Sequence, residues 1–445
     1  MSSSVYATRR ILGVLLLSAV SISMGAFLDF KLTLIGLSLL FGTLAFKGYV
    51  LIAGLAASRL EVDWVYKGNI EGEELEVVAV LKNKTIVPIG FLEVSLKYSP
   101  NLRLIEGARG GVLAIPPRSI VQFRAIFKAR VGCHKIGPFT VVVRDVLGLF
   151  RTDEFEIGGN ICVKIKPRVS ELVVKKLFAY SRTVGLTRSG RPGHGVEFYD
   201  VREYRTGDEL RRLEWKRLAS RNLLAVKEME QEAFQNVIFI VDATSFTMRG
   251  PYGNTPYEHV ARIVSSTARA LSARGDALGL VLYSDRKVLS TGGLTRGKRA
   301  FYEIVNLLST LEYDPAPVAD EEARLGSISN ALKETLRIMP RERNAVFWFT
   351  TTGGEAYAEK LAGIVERLAG MGNNVYVIIP VITAYELLDL DKTAKMIYRV
   401  KTAQQTRKDI GFAKYLRKRG VKAVAIGPEH IPQLVIDIVE TLSTR

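Results

Sequence analysis

Few residues in this 445-residue chain are placed for chemistry, and Asp242 stands first among them. It closes the apolar run Val237-Ile238-Phe239-Ile240-Val241, and in open α/β sheets binding sites gather at the carboxyl ends of the strands. A second group lies upstream, where Glu197, Asp200, Glu203, Asp208 and Glu214 are interleaved with Arg202, Arg205, Arg211, Arg212, Lys216 and Arg217. Glu197 and Asp208 would have to serve as acid and base, or His194 as a base, yet no nucleophile stands in a defined relation to them. Mixed charges of this kind suit an ion-pair network, with Tyr204 and Trp215 as apolar bodies carrying a polar handle for a clamp or a partner surface. The stretch Ser189-Gly190-Arg191-Pro192-Gly193-His194-Gly195 lacks the Gly-Lys-Ser/Thr of a nucleotide cradle and reads as a turning loop. Four His, none in an H-x-x-x-H setting, argue against a zinc enzyme. Cys133 and Cys162 form one bridge at most, which suits a reducing compartment or a chain indifferent to redox.

The elements that must position these residues fall into four segments. From 237 to 445, strands such as Leu278–Tyr283, Ala345–Phe349, Val375–Ile379 and Ala423–Ile426 alternate with amphipathic helices, which implies a mostly parallel, doubly wound α/β sheet. The densely charged segment 167–236 carries 14 Lys+Arg and 10 Asp+Glu. Before it, residues 60–166 hold short runs of largely period-two alternation, as in Leu60–Tyr66 and Phe91–Leu96, which predict an antiparallel β-sandwich of immunoglobulin-like build. Residues 1–59 contain two apolar stretches, about 11–28 and 32–57, each near the ~20 residues that span a bilayer as a helix.

Asp29-Phe30-Lys31 is too short a connection for anything but an antiparallel hairpin. Arg9 and Arg10 before the first span, with Arg59 and Lys67 after the second, place both ends in the cytoplasm by the positive-inside rule. A cleaved secretory signal is the competing reading, and the immediate second span argues against it. Lys47 falls in the middle or inner third of the second span, where snorkelling or the partner helix would accommodate it.

The chain has 62 Lys+Arg against 45 Asp+Glu, a net charge of +17. A nucleic-acid site would show bases with few acids among them, or aromatics spaced for stacking, and neither pattern occurs. Anionic lipid beside the anchor, or an acidic protein partner, is the simpler destination for the excess.

Gly195-Val196-Glu197-Phe198, Arg202-Glu203-Tyr204, Gly207-Asp208, Arg211, Trp215-Lys216, Ala219, Arg221 and Val226-Lys227-Glu228 resemble, in order and spacing, the signature of the domain of unknown function 58 family (DUF58). Gly132-Cys133-His134-Lys135-Ile136-Gly137-Pro138 and Asp145-Val146-Leu147-Gly148-Leu149-Phe150 resemble its upstream region. The resemblance implies a membrane hairpin, a β-rich segment, the signature and a von Willebrand factor A-like (Rossmann-type) domain. It also implies action beside a MoxR-type AAA+ ATPase or its client protein, and no established catalysis. Domains of this type often hold a divalent ion through Asp-x-Ser-x-Ser and a later acid. Here Asp242 and Thr244 would supply two ligands, with Thr291 or Thr295 as a third. Phe246 has no oxygen where the last serine belongs, and Thr350-Thr351-Thr352 stands where an acid is expected. Such oxygens would suit a hard six-coordinate ion such as magnesium, but with the third serine and the late acid both missing the expectation is no cofactor. The expectation is therefore a membrane-anchored interaction protein and not an enzyme, with a partner surface drawn from Glu197, Arg202, Tyr204, Gly207, Asp208, Arg211, Trp215, Lys216, Arg221 and Lys227. A metal-dependent hydrolase using Asp242 and the signature acids, and a nucleic-acid-binding protein, are the alternatives.

Overall fold

The computed structural model describes the chain except residues 1–3, 172–173, 176–187, 233–234, 249, 251, 313–319, 382–391 and 444–445, and except the side chains of 188–197, 199, 229–232, 392–399, 401 and 443. The chain divides into two compact units at Ile165/Lys166.

The first unit contains, in chain order, β1 (Val5–Ala7), α1 (Arg10–Phe27), α2 (Phe30–Ala57), β2 (Glu61–Lys67), β3 (Glu74–Lys82), β4 (Ile89–Tyr98), β5 (Leu102–Gly107), β6 (Gly110–Ile115), β7 (Ile120–Ala129), β8 (Gly132–Arg144), β9 (Phe150–Thr152), β10 (Phe155–Ile157) and β11 (Ile161–Ile165). One antiparallel sheet runs β2-β3-β7-β5 and the other β1-β9-β8-β4-β6, with β10 and β11 also on β8. Alternation decides which side chains face inward. Leu75, Val77, Ala79 and Leu81 of β3 share one core with Leu92, Val94 and Leu96 of β4 and Phe139, Val141 and Val143 of β8. Cys133 on β8 and Cys162 on β11 are joined in the one disulfide that two cysteines allow.

The helices α1 and α2 pack antiparallel through a seam of small residues. Ser18 and Gly25 of α1, and Gly36 and Thr43 of α2, are buried at seven-residue spacing, the close-approach pattern of helices in lipid. A Cβ on Gly36 would lie 2.5 Å from Ile22 Cγ1 and 2.7 Å from the Ser18 carbonyl oxygen. Only 11% and 17% of the two apolar windows are buried, leaving leucines, isoleucines and phenylalanines exposed along both helices. So large an apolar surface requires lipid or another partner.

Towards its carboxyl end α2 meets protein. Ala53, Ala56 and Ala57 belong to the core shared by the two sheets, and the Tyr49 hydroxyl accepts from Gly90 N at 2.8 Å and donates to Pro88 O at 3.3 Å. Exposed apolar side chains continue beyond this contact at Leu51, Ile52 and Leu55, and Lys47 is itself exposed on α2.

The second unit holds β12 (Arg188–Glu203), a 3-10 turn (Leu210–Arg212), α3 (Trp215–Arg221) and β13 (Ala225–Glu232). It continues with β14 (Asn236–Asp242), α4 (Pro256–Arg274), β15 (Ala277–Tyr283), β16 (Val288–Ser290), β17 (Thr295–Arg296), α5 (Gly297–Leu308) and α6 (Glu321–Ile338). The chain then adds β18 (Asn344–Phe349), α7 (Glu355–Gly370), β19 (Asn374–Pro380), α8 (Lys392–Lys418), β20 (Lys422–Ile426) and α9 (Ile431–Ser443). The sheet order is β16-β15-β14-β18-β19-β20, with β14, β15, β18, β19 and β20 parallel and β16 and β17 antiparallel to β15. Every residue of β14 is buried. The chain adds strands first on one side of β14 and then on the other, so the topological switch lies at its carboxyl end, where Asp242 stands.

Candidate functional site

The loops after β14 and β18 and the first turns of α6 converge on Asp242. Asp242 Oδ1 accepts from Thr244 N at 3.0 Å and Thr244 Oγ1 at 2.6 Å. Oδ2 accepts from Thr350 Oγ1 at 2.8 Å and from the Arg324 guanidinium at 2.7 Å. Asp242 and Thr244 thus meet as expected, but the hydroxyl donates to the carboxylate instead of turning an oxygen toward a common ion.

Arg324 comes from the first turns of α6, and its side chain is 1% exposed. Its Nη2 donates also to Thr350 Oγ1, Thr351 Oγ1 and Thr351 O, each at 3.1 Å. The guanidinium lies 3.9 Å from the Tyr357 ring centre and 4.6 Å from that of Phe246, so the phenylalanine that replaces a ligand oxygen covers a cation instead. Behind the pair, Tyr357 OH is 2.6 Å from Thr350 Oγ1 and 3.2 Å from Tyr283 OH, to which Trp348 Nε1 donates at 3.1 Å.

Burial alone would raise the Asp242 carboxyl. Arg324 and the Thr244 donors outweigh it and hold the group below the ordinary carboxylate range. Burial likewise disfavours the Arg324 charge, and its neighbours Tyr357 and Asp242 restore it above the usual value. Burial, then the Asp242 charge, pushes the Tyr283 hydroxyl well up. These groups are locked in single protonation states.

Magnesium demands near-octahedral oxygen ligands at about 2.0–2.1 Å. Here both Asp242 oxygens are engaged, and a fixed positive charge stands where the ion would go. The donor set does not fit a divalent cation. Thr291 and Thr295 are spent elsewhere: Thr291 Oγ1 donates to Gly293 O at 2.9 Å and Thr295 Oγ1 to Glu303 at 2.8 Å. Sequence reasoning missed Arg324. The available signal was its place on the inward stripe of α6, in register with the buried Ile328, Ala331 and Thr335.

The signature residues build a separate frame. Arg202 clamps Asp208 through two bonds of 2.7 Å, and its Nε donates to Glu228 at 2.7 Å. Arg205 N donates to Asp208 at 2.8 Å across a turn whose Gly207 has φ +110°. These donors, Arg202 first, bring the Asp208 carboxyl down to about 2. Lys227 pairs with Glu214 at 2.8 Å and holds that carboxyl low as well. Glu214 N donates to Ala225 O, tying the start of the short helix α3 to β13, and Tyr204 N, just past β12, donates to Leu224 O. Arg211, Lys216 and Arg221 are exposed on this frame. Glu197 lies on β12, and its side chain, like that of His194, falls outside the described residues.

The frame leaves large apolar side chains in solvent. Trp215 is 62% exposed, Leu210 66%, Leu223 51% and Leu224 49%. The signature acids Asp208, Glu214 and Glu228 are committed to Arg202 and Lys227. Among the described residues no group of three His, Cys, Asp or Glu is placed to hold a metal.

The family model described as protein of unknown function DUF58 matches residues 200–413. Over this stretch the chain is similar to the DUF58 family. The match begins within β12, on the frame, and runs through Asp242 and Arg324 into α8. Among curated proteins, this chain is 23% identical over 298 residues to the uncharacterized protein YeaD of Bacillus subtilis (strain 168), covering 63% of the chain and 70% of YeaD. Solved structures with likeness include the SpRpn10 VWA domain, at 14% identity and TM-score 0.25, covering 46% of this chain and 94% of that one. Another is the manganese-loaded TRAP protein of Plasmodium vivax, at 16% identity and TM-score 0.24, covering 33% and 57%.

Proposed function

We propose that this protein is a membrane-anchored docking or assembly factor whose signature frame and von Willebrand A-like domain engage a protein partner, a MoxR-type AAA+ ATPase or its client. The observation that carries this reading is Trp215, held in solvent with Leu210, Leu223 and Leu224 on a frame fixed by the Arg202 and Lys227 ion pairs. A rigid, exposed aromatic ringed by apolar and charged side chains is the composition of a binding hot spot. A catalytic role has less support, because Asp208, one of the acids that would carry it, is paired with Arg202, and Asp242 is paired with the buried Arg324. The same pairing disfavours a role for magnesium. The two apolar helices anchor the chain in the cell membrane, and the Arg9, Arg10, Arg59 and Lys67 charges favour a cytoplasmic placement for both the N-terminus and the large C-terminal region.

The test is binding of the full-length protein in lipid nanodiscs to a purified MoxR-type ATPase. Trp215→Ala is expected to weaken binding about tenfold or more. Undiminished binding would remove the frame from the interface, and no binding by the unsubstituted chain would remove this partner.

A further inference from the structure

The segment Asp145-Val146-Leu147-Gly148-Leu149-Phe150 has no part in the docking surface, yet it is one of the most tightly built turns in the first unit. Asp145 is 2% exposed, and its carboxylate accepts from Leu147 N at 3.1 Å and Phe150 N at 2.6 Å. Gly148 N donates to Asp145 O at 3.0 Å, and Gly148 takes φ +65°. This frame turns Leu149 and Phe150 inward and Val146 and Leu147 outward, where they are 64% and 52% exposed.

The turn is fastened to the first residues of the hairpin. Thr8 N donates to Leu149 O at 2.8 Å and Thr8 Oγ1 to Gly148 O at 2.7 Å, while Arg10 Nη1 reaches Leu147 O at 3.5 Å. Leu149 and Phe150 pack with Val50, Ile11, Val14, Phe46 and Tyr49. Val14 lies one turn, ~6 Å, beyond Arg10 along α1. The register of Gly25 against Thr33 and Gly36 against Ile22 brings Lys47 level with the first turn of α1. The 18 residues of α1 rise ~27 Å, little less than the ~30 Å hydrocarbon core. The turn therefore sits at the height of the lipid headgroups, beside the exposed Arg9, Arg10 and Lys47 and near Tyr6, which is 51% exposed.

We propose that Asp145–Gly148 is a membrane-contacting finger, with Val146 and Leu147 inserted among the headgroups of the bilayer that the hairpin spans, Tyr6 at the same interface, and Arg9, Arg10 and Lys47 on anionic lipid phosphates. Apolar tips flanked by cations and an aromatic are the composition of that interface. The proposal rests on the anchor reading, and the bilayer is its one occupant because the finger is continuous with the hairpin's own base.

The full-length protein is placed in nanodiscs of phosphatidylcholine and phosphatidylglycerol, with and without bromine on the acyl chains, and tryptophan emission is compared with that of the unsubstituted chain. Leu147→Trp is the probe. Lys164→Trp is the control, exposed on β11 and paired with Cys133, eleven residues from Arg144 and so ~36 Å along β8. Bromine is expected to quench the emission added by Leu147→Trp about twofold and that added by Lys164→Trp scarcely at all. Equal, weak quenching of the two in an anchored protein overturns the finger alone. A chain that does not co-purify with lipid overturns the anchor and the finger together.

Discussion

The Arg324 guanidinium stands 2.7 Å from the Asp242 carboxylate, and both side chains are closed to solvent. An ion pair at that depth gains little net stability over an apolar pair, but losing one partner leaves an uncompensated buried charge. Arg324→Ala is expected to cost about 3–5 kcal/mol in chemical denaturation. Millimolar magnesium should leave the unsubstituted protein's melting temperature unchanged and restore part of what the variant has lost, since the vacated position faces Asp242 and three threonine hydroxyls. A loss under about 1 kcal/mol would mean that the guanidinium is not what offsets the Asp242 charge.

Arg202→Lys tests the signature frame. Lysine keeps the charge but lacks the planar fork that holds Asp208 and Glu228 together. The pairs are partly exposed, so the global denaturation midpoint should move little, while amide exchange at Arg205, which donates to Asp208, accelerates. Unchanged protection there would show that the turn stands without the clamp.

Burial and the nearby Arg262 lower His259 from 6.5 to about 4. The unfolded chain takes up that proton first, so the contribution is intact above about pH 6.5 and lost as pH falls toward 4, roughly 3 kcal/mol at most. In denaturation series across that window, His259→Gln should show a shallower loss than the unsubstituted protein. Parallel curves would exclude His259 as the titrating group.

Gly36→Leu tests the hairpin seam. The added carbon meets the Ser18 carbonyl, which has no room to yield, so the helices must separate. The variant should melt lower in detergent than Gly42→Leu, because Gly42 has nothing within 4 Å of its Cβ position. Equal melting would place the helix contact elsewhere.

Much of the fold was legible because its signals are periodic. Val237–Val241 reads as a buried strand, and the apolar stretches around Leu15 and Leu37 read as spans, because period and length belong to the local sequence. What the apolar stretch did not show is that the carboxyl end of α2 meets protein, because Tyr49 meets Pro88 and Gly90 some forty residues away. The partner of Arg324 was hidden for a similar reason. The helix that carries Arg324 reads as charged, and only the fold carries this one cation across 82 positions to Asp242. The signature's order and spacing identified the frame, whereas the partner of each charge, such as Arg202 with Glu228, required the β12–β13 register.

Because α2 runs unbroken for 28 residues, ~42 Å, from the hairpin tip into the core shared by the two sheets, it acts as a stiff mast and not a tether. If the hairpin is set in a bilayer as proposed, tilting or thinning of that bilayer would be transmitted to the two sheets as rotation of one solid piece, and lipid thickness would become a mechanical input to this unit.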